Sequence, residues 1–136
     1  MVLVDTSIWS MALRRRTHLN PPEQKLVNTL IDLIKDGKSA LIGMIRQEIL
    51  SGIRDAGTYE SLREKLTDLP YVQTGLAEYD MAAEFYNRCV AKGIKASAVD
   101  MFICAAAATY QMPIFTTDAD FRRYAKHLPV ELFQHT

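Results

Sequence analysis

Short apolar runs alternate along the chain with longer stretches whose apolar residues recur every three or four positions. Val2-Leu3-Val4 is a β-branched and aliphatic run that reads as a buried strand. Asp5-Thr6-Ser7 ends it with side chains able to cap a following helix or turn. Leu26, Leu30, Ile31 and Ile34 then share one helical face. Asn20, Pro21 and Glu23 mark the start of that helix and Gly37 its end. Ala40-Leu41-Ile42 predicts a second strand, and a helix follows over about 44–53. Residues 58–66 predict a charge-rich helix, Tyr71-Val72 a third strand, and 76–92 an amphipathic helix closed by Gly93. Residues 97–110 are apolar nearly all round, which predicts a central, buried helix. Pro113-Ile114-Phe115-Thr116 predicts a fourth strand, with its proline at the start, where a missing N–H does least harm. A last helix over 120–127 and a short edge strand from Val130 to Phe133 complete the pattern. Strands alternating with helices predict a layered α/β domain around a mainly parallel sheet. No repeat or boundary interrupts the pattern, so one domain over 1–136 is expected.

Composition narrows the class. The chain has 136 residues, 49% hydrophobic and 24% charged, enough to bury roughly two thirds of the unfolded surface. It needs no disulfide or structural metal to fold, and disordered, collagen-like and disulfide-scaffold chains are excluded. Sixteen basic residues balance sixteen acidic ones. That argues against whole-surface attraction to nucleic acid and leaves room for a local basic strip. Cys89 and Cys104 lack CxxC or Cys/His ligand spacing and read as small buried thiols of a reducing compartment, with disulfide pairing the alternative. No basic-then-apolar leader is present, and the most apolar stretch, 96–117, contains Ser, Asp, Thr, Gln and Pro. No membrane span is expected, and the cytoplasm is the expected location.

Charge inside apolar sequence points to the chemistry. Asp5 is the sole charged side chain from Met1 through Leu13, and Asp100 the sole one from Ala96 through Thr117. Asp118 follows the Ile114-Phe115-Thr116 strand, and Asp120 comes two residues later. Glu48 falls on the helical stripe of Ile45, Ile49 and Ile53. Singly, each acid has a structural explanation: a cap for Asp5, a helix-dipole partner for Asp100, a stripe edge for Glu48, a turn for Asp118 and Asp120. Together they form a pattern, because ligands of parallel sheets gather at the carboxyl ends of the strands. Two like charges about 4 Å apart repel by roughly 4 kcal/mol at an effective dielectric near 20. Converging carboxylates therefore call for a cation, and an all-oxygen set favours Mg²⁺ or Mn²⁺ over zinc. No P-loop or GxSxG elbow is present, and His18, His127 and His135 lack zinc-ligand spacing.

Four segments in order carry a family resemblance: Val2-Leu3-Val4-Asp5-Thr6-Ser7-Ile8-Trp9, Ile45-Arg46-Gln47-Glu48-Ile49-Leu50-Ser51-Gly52, Val99-Asp100-Met101-Phe102-Ile103-Cys104-Ala105-Ala106-Ala107, and Ile114-Phe115-Thr116-Thr117-Asp118-Ala119-Asp120-Phe121. Over nearly its whole length the chain resembles PIN-domain proteins, and specifically VapC-type ribonuclease toxins of toxin–antitoxin pairs. The resemblance implies a three-layer α/β/α sandwich and an Mg²⁺- or Mn²⁺-dependent endoribonuclease that blocks translation when free of its antitoxin. It places the family's acids on Asp5, Glu48, Asp100 and Asp118, with Asp120 as a further member. Thr6, Ser7 and Thr116 are the supporting hydroxyls. It also implies a homodimer and a VapB-type antitoxin partner whose C-terminal segment covers the acidic groove.

Arg14-Arg15-Arg16 is the densest basic run, and Arg46 and Arg54 flank Glu48. These residues can hold RNA phosphates around a metal centre, or serve as ordinary solvated charge. Trp9, Tyr59 and Tyr71 can stack on bases, although core or interface packing suits Trp9 better. Met81, Phe85 and Val90 read as core or dimer surface. A non-catalytic PIN-like RNA- or protein-binding module, and an RNA-processing nuclease without a toxin role, are the competing functions.

Overall fold

The computed structural model describes residues 1–13 and 18–134. In chain order the elements are β1 (Val2–Val4), α1 (Thr6–Ala12), α2 (Pro21–Lys35), β2 (Ser39–Ala40), α3 (Gly43–Leu50), α4 (Ala56–Thr67), α5 (Leu76–Ala91), α6 (Ala98–Tyr110), β3 (Ile114–Phe115) and α7 (Asp120–Ala125). The strands form one parallel sheet in the order β2-β1-β3. Val2 faces Ser39 and Leu3 faces Ala40 on one side. On the other side Leu3 faces Ile114 and Val4 faces Phe115. All three β1 residues are buried, as a parallel strand covered by helices on both faces requires. The layered α/β domain expected from the alternating pattern, and the three-layer sandwich that the resemblance implies, are the fold observed.

The sheet is shorter than its apolar runs. The expected strands at Tyr71-Val72 and Val130–Phe133 reduce to single parallel bridges, Leu41 to Tyr71 and Ile114 to Leu132. Val72 N donates to Leu41 O at 2.8 Å and Leu41 N to Pro70 O at 2.9 Å, and Pro70 has no N–H with which to lengthen that ladder. The second strand is likewise displaced. Ile42 is already the N-cap of α3, so the run hands over to helix one residue after Leu41. That helix stops at Leu50 rather than near Ile53, because Ser51 is extended and Gly52 is left-handed at φ +90.

Helix ends follow the cap chemistry. Glu23 N donates to Asn20 Oδ1 at 2.9 Å and Asn20 N to Glu23 Oε1 at 3.1 Å, closing a capping box at α2. Asn20→Ala is expected to cost about 1 kcal/mol in a urea titration, with an unchanged m-value. Ser97 Oγ accepts from Asp100 N at 3.0 Å and starts α6. Met101 through Ala107 of α6 are buried, and α6 packs along α5 through Ala82, Phe85 and Cys89. Both cysteines are buried and free, as small thiols in the core. Cys89 Sγ lies 4.0 Å from Met101 Sδ, and disulfide pairing is not formed. Among the described residues no helix is long and apolar enough to cross a membrane.

Candidate metal centre

Parallel pairing of β1 with β3 puts the residues after Val4 and Phe115 on one rim, and Asp5 N donates to Phe115 O at 2.9 Å across it. Asp5 is only 7% exposed. Its Oδ2 accepts from Thr116 Oγ1 at 2.8 Å and from Ser7 Oγ at 2.9 Å. It also caps α1 through a longer contact from Ser7 N at 3.5 Å. The bonds continue outward. Thr117 N donates to Ser7 Oγ at 3.1 Å, Asp118 N to Thr116 Oγ1 at 3.0 Å, and Asp120 N to Asp118 Oδ1 at 2.9 Å. On the other side Thr6 Oγ1 donates to Glu48 Oε1 at 2.9 Å. A run of hydroxyls and amides thus ties Asp5, Asp118 and Asp120 into one turn, and the neighbouring Thr6 holds Glu48.

Asp100 reaches the same rim from the first turn of α6. Burial pushes its carboxyl above the usual range. Bonds from the Tyr124 and Ser97 side chains pull it back, and the charges of Asp118 and Asp5 push it up again. Burial, then the charge of Asp100, likewise raises the Tyr124 phenol and the Cys104 thiol. Among the described residues, Asp100, Asp118 and Asp120 each offer an oxygen within 4.8 Å of the others. Carboxylate oxygens that close together could share one divalent ion. The all-oxygen set, and an Asp100 already burdened by its acidic neighbours, fit a hard divalent cation.

The placement differs in part from the expected one. Asp120, expected as a further member of the cluster, lies with Asp100 and Asp118 in the group that meets within 4.8 Å, whereas Asp5 and Glu48 stand outside it. Glu48 is exposed, beside a stripe in which Ile45 and Ile49 are buried, because α3 turns its Ile45–Ile49 face to the core. Asp120 also pairs with Arg123, but both side chains are about half exposed, and such pairs are weak. Arg46 Nη2 donates to Arg63 O at 3.3 Å and to Thr67 Oγ1 at 3.2 Å, joining α3 to the end of α4. Arg14, Arg15 and Arg16 lie outside the described residues. Trp9 is buried, and Tyr59 and Tyr71 are exposed. Tyr124, which no sequence argument singled out, donates from its hydroxyl to Asp100 Oδ2 at 3.0 Å. Its one signal was its place four residues after Asp120, on the same helical face.

Beside this rim runs an apolar groove of about 390 Å³, lined by Met44, Tyr79, Tyr86, Val99 and Phe102 among others. Leu76, Tyr79, Ala83, Tyr86 and Val90 continue it as an exposed stripe along α5.

A parallel three-stranded sheet between helical layers, with acids gathered at its carboxyl rim, defines an α/β/α protein with a rim site. A family model described as the PIN domain matches residues 2–127, and the chain belongs to that family. A search of the curated proteins finds no match. Similar solved structures include FitAcB from Neisseria gonorrhoeae, at 20% identity and TM-score 0.72, covering 98% of this chain and 97% of that one. VapBC2 from Rickettsia felis, bound to a DNA fragment from their promoter, matches at 19% identity and TM-score 0.75 over 100% of both chains. VapBC-5 from Mycobacterium tuberculosis, a member of the VapBC family of toxin-antitoxin systems, matches at 17% identity and TM-score 0.66 over 98% of both. At these identities the likeness is one of fold.

Proposed function

We propose that this chain, as one PIN domain over 1–136, is a VapC-type toxin: a metal-dependent endoribonuclease that cuts RNA phosphodiester bonds in the cytoplasm. The observation that carries the reading is the meeting of Asp100, Asp118 and Asp120 oxygens within 4.8 Å, from two segments separated in sequence, beside a buried Asp5. Family membership over residues 2–127 supports it, as do structural neighbours that are toxin–antitoxin complexes. Asp100, Asp118 and Asp120 would hold Mg²⁺ or Mn²⁺, with Asp5 and Glu48 completing the negative surface around it. When bound, such an ion supplies charge neutralisation at a phosphate and a water of lowered pKa. Thr116 and Ser7 fix the Asp5 carboxylate, and Thr6 fixes Glu48, so these two acids meet an incoming phosphodiester in set positions. One carboxylate orients or deprotonates the attacking water. The apolar groove and the α5 stripe supply the kind of surface that an antitoxin segment or a second copy in a homodimer would cover.

The experiment is cleavage of structured RNA with Mg²⁺ or Mn²⁺. Wild type should cut, chelation should stop it, and Asp5→Asn should slow it by about a hundredfold. Equal cleavage by wild type and Asp5→Asn, or cleavage unaffected by chelation, would sink the assignment. Metal-independent RNA binding with no cutting of any RNA pool would point to a binding module instead.

A further inference from the structure

We infer that Tyr124 is a positioning residue of the metal centre, acting through Asp100; this rests on the metal-dependent reading above. Three observations meet at this side chain. Its hydroxyl donates to Asp100 Oδ2 at 3.0 Å, with Lys95 O a more distant second acceptor at 3.4 Å. The residue is only 2% exposed, so water does not compete for that bond. Its ring is held by an edge-on contact with Phe121, centroids 5.3 Å apart, so the hydroxyl has little freedom to leave.

The bond matters because of where its ends sit. Asp100 starts α6, and Tyr124 lies on α7, the helix that begins with Asp120. The Tyr124–Asp100 contact therefore links two of the three clustered carboxylates through a rigid route. A phenol donating to one carboxylate oxygen restricts the rotamer in which the other oxygen can face Asp118 and Asp120. Other donors in the centre, Ser7 and Thr116, serve Asp5, and Ser97, whose oxygen accepts from Asp100 N, bonds to the Asp100 carboxyl from the same helix start. Tyr124 is the aromatic donor that reaches an acid of the cluster.

The test is Mn²⁺ affinity of the full chain, measured by electron paramagnetic resonance. Tyr124→Phe keeps the ring and removes the hydroxyl. It should weaken Mn²⁺ binding about tenfold. Tyr110→Phe, which removes a hydroxyl bonded to Gln73 O at the far end of α6, should leave the affinity unchanged. The Tyr124→Phe loss should persist when variant and wild type are compared under conditions in which urea titration shows each fully folded. A loss that vanishes there reflects stability alone, and that result overturns the inference. In the wild type, the Tyr124 ring signals should shift in NMR as Mg²⁺ is titrated. Signals that stay still while Mg²⁺ binds also overturn it, whether or not the variant folds. Wild type that binds no Mn²⁺ sinks the metal reading and this inference with it. Wild type and Tyr124→Phe binding equally tightly sinks this inference alone.

Discussion

Asp100→Asn is expected to abolish RNA cleavage and, in the same protein, to raise the melting temperature of the metal-free fold. The loss of cleavage should reach at least about a thousandfold, ~4 kcal/mol, because the proposed metal centre would lose a carboxylate. The gain in stability has a separate cause. Burial disfavours the ionised Asp100, and Asp118 and Asp5 repel it, so its carboxyl lies above the usual range in the folded state. A group with a raised folded value stabilises the fold fully below its unfolded value, near 3.8, and loses that contribution as pH rises through the folded value. At neutral pH the wild type has lost it, while asparagine carries no charge to repel and still accepts from Tyr124. A rise of about 3–5 °C corresponds to roughly 1 kcal/mol in a domain of this size. The two melting curves should converge as pH falls below about 4. Excess Mn²⁺ should raise the wild-type melting temperature and leave the variant nearly unmoved. A metal-free variant less stable than wild type at neutral pH would show that Asp100 is no electrostatic burden. Such stability gained with activity lost is the usual trade at a functional site.

The second large effect concerns the core beneath the centre. Phe121 is fully buried, directly after Asp120, with its ring against Tyr124. Phe121→Ala should cost about 3–5 kcal/mol, a large part of the 5–15 kcal/mol by which such domains are stable. The cavity would sit under the first turn of α7, so Asp120 and Tyr124 should loosen together and Mn²⁺ affinity should fall with stability. Phe133→Ala is the comparison. Its ring lies against Phe115 at 5.2 Å, but it is only partly buried and lies beyond the last bridge. It should cost less than about 2 kcal/mol and leave Mn²⁺ affinity alone. Urea titrations of both, with metal binding on each, decide the matter; equal losses would remove any special role for the residue under α7.

The way in which these acids were legible explains which parts were not. Asp5 and Asp118 stand after short β-branched runs, and the rule for parallel sheets puts both on one rim without knowledge of strand order. Asp100 was legible as a lone charge in an otherwise apolar helix, although no strand precedes α6 to fix its height. Glu48 was harder. Its spacing matches Ile45 and Ile49, yet a helix of eight residues turns only a narrow face inward, and Glu48 falls beside it. Apolar runs overstate strand length because they record burial rather than ladder bonds. Leu41 and Ile42 are buried, one as a lone bridge and one as a helix cap. The order β2-β1-β3 left no mark in the pattern, since an aliphatic strand carries no label for its neighbour. Tyr124 was hidden for a related reason: a buried aromatic on a short helix looks like packing until its hydroxyl is seen to have an acceptor.

The pairing of β1 with β3 joins the third residue of the chain to the one hundred and fourteenth. Every nascent copy therefore holds its first strand beside β2 but without β3 until Ile114 and Phe115 have left the ribosome. The acidic rim closes only after α7 emerges. A chain whose residues beyond Tyr110 are still in the exit tunnel has Asp5 without Asp118 or Asp120, and so lacks the assembled centre.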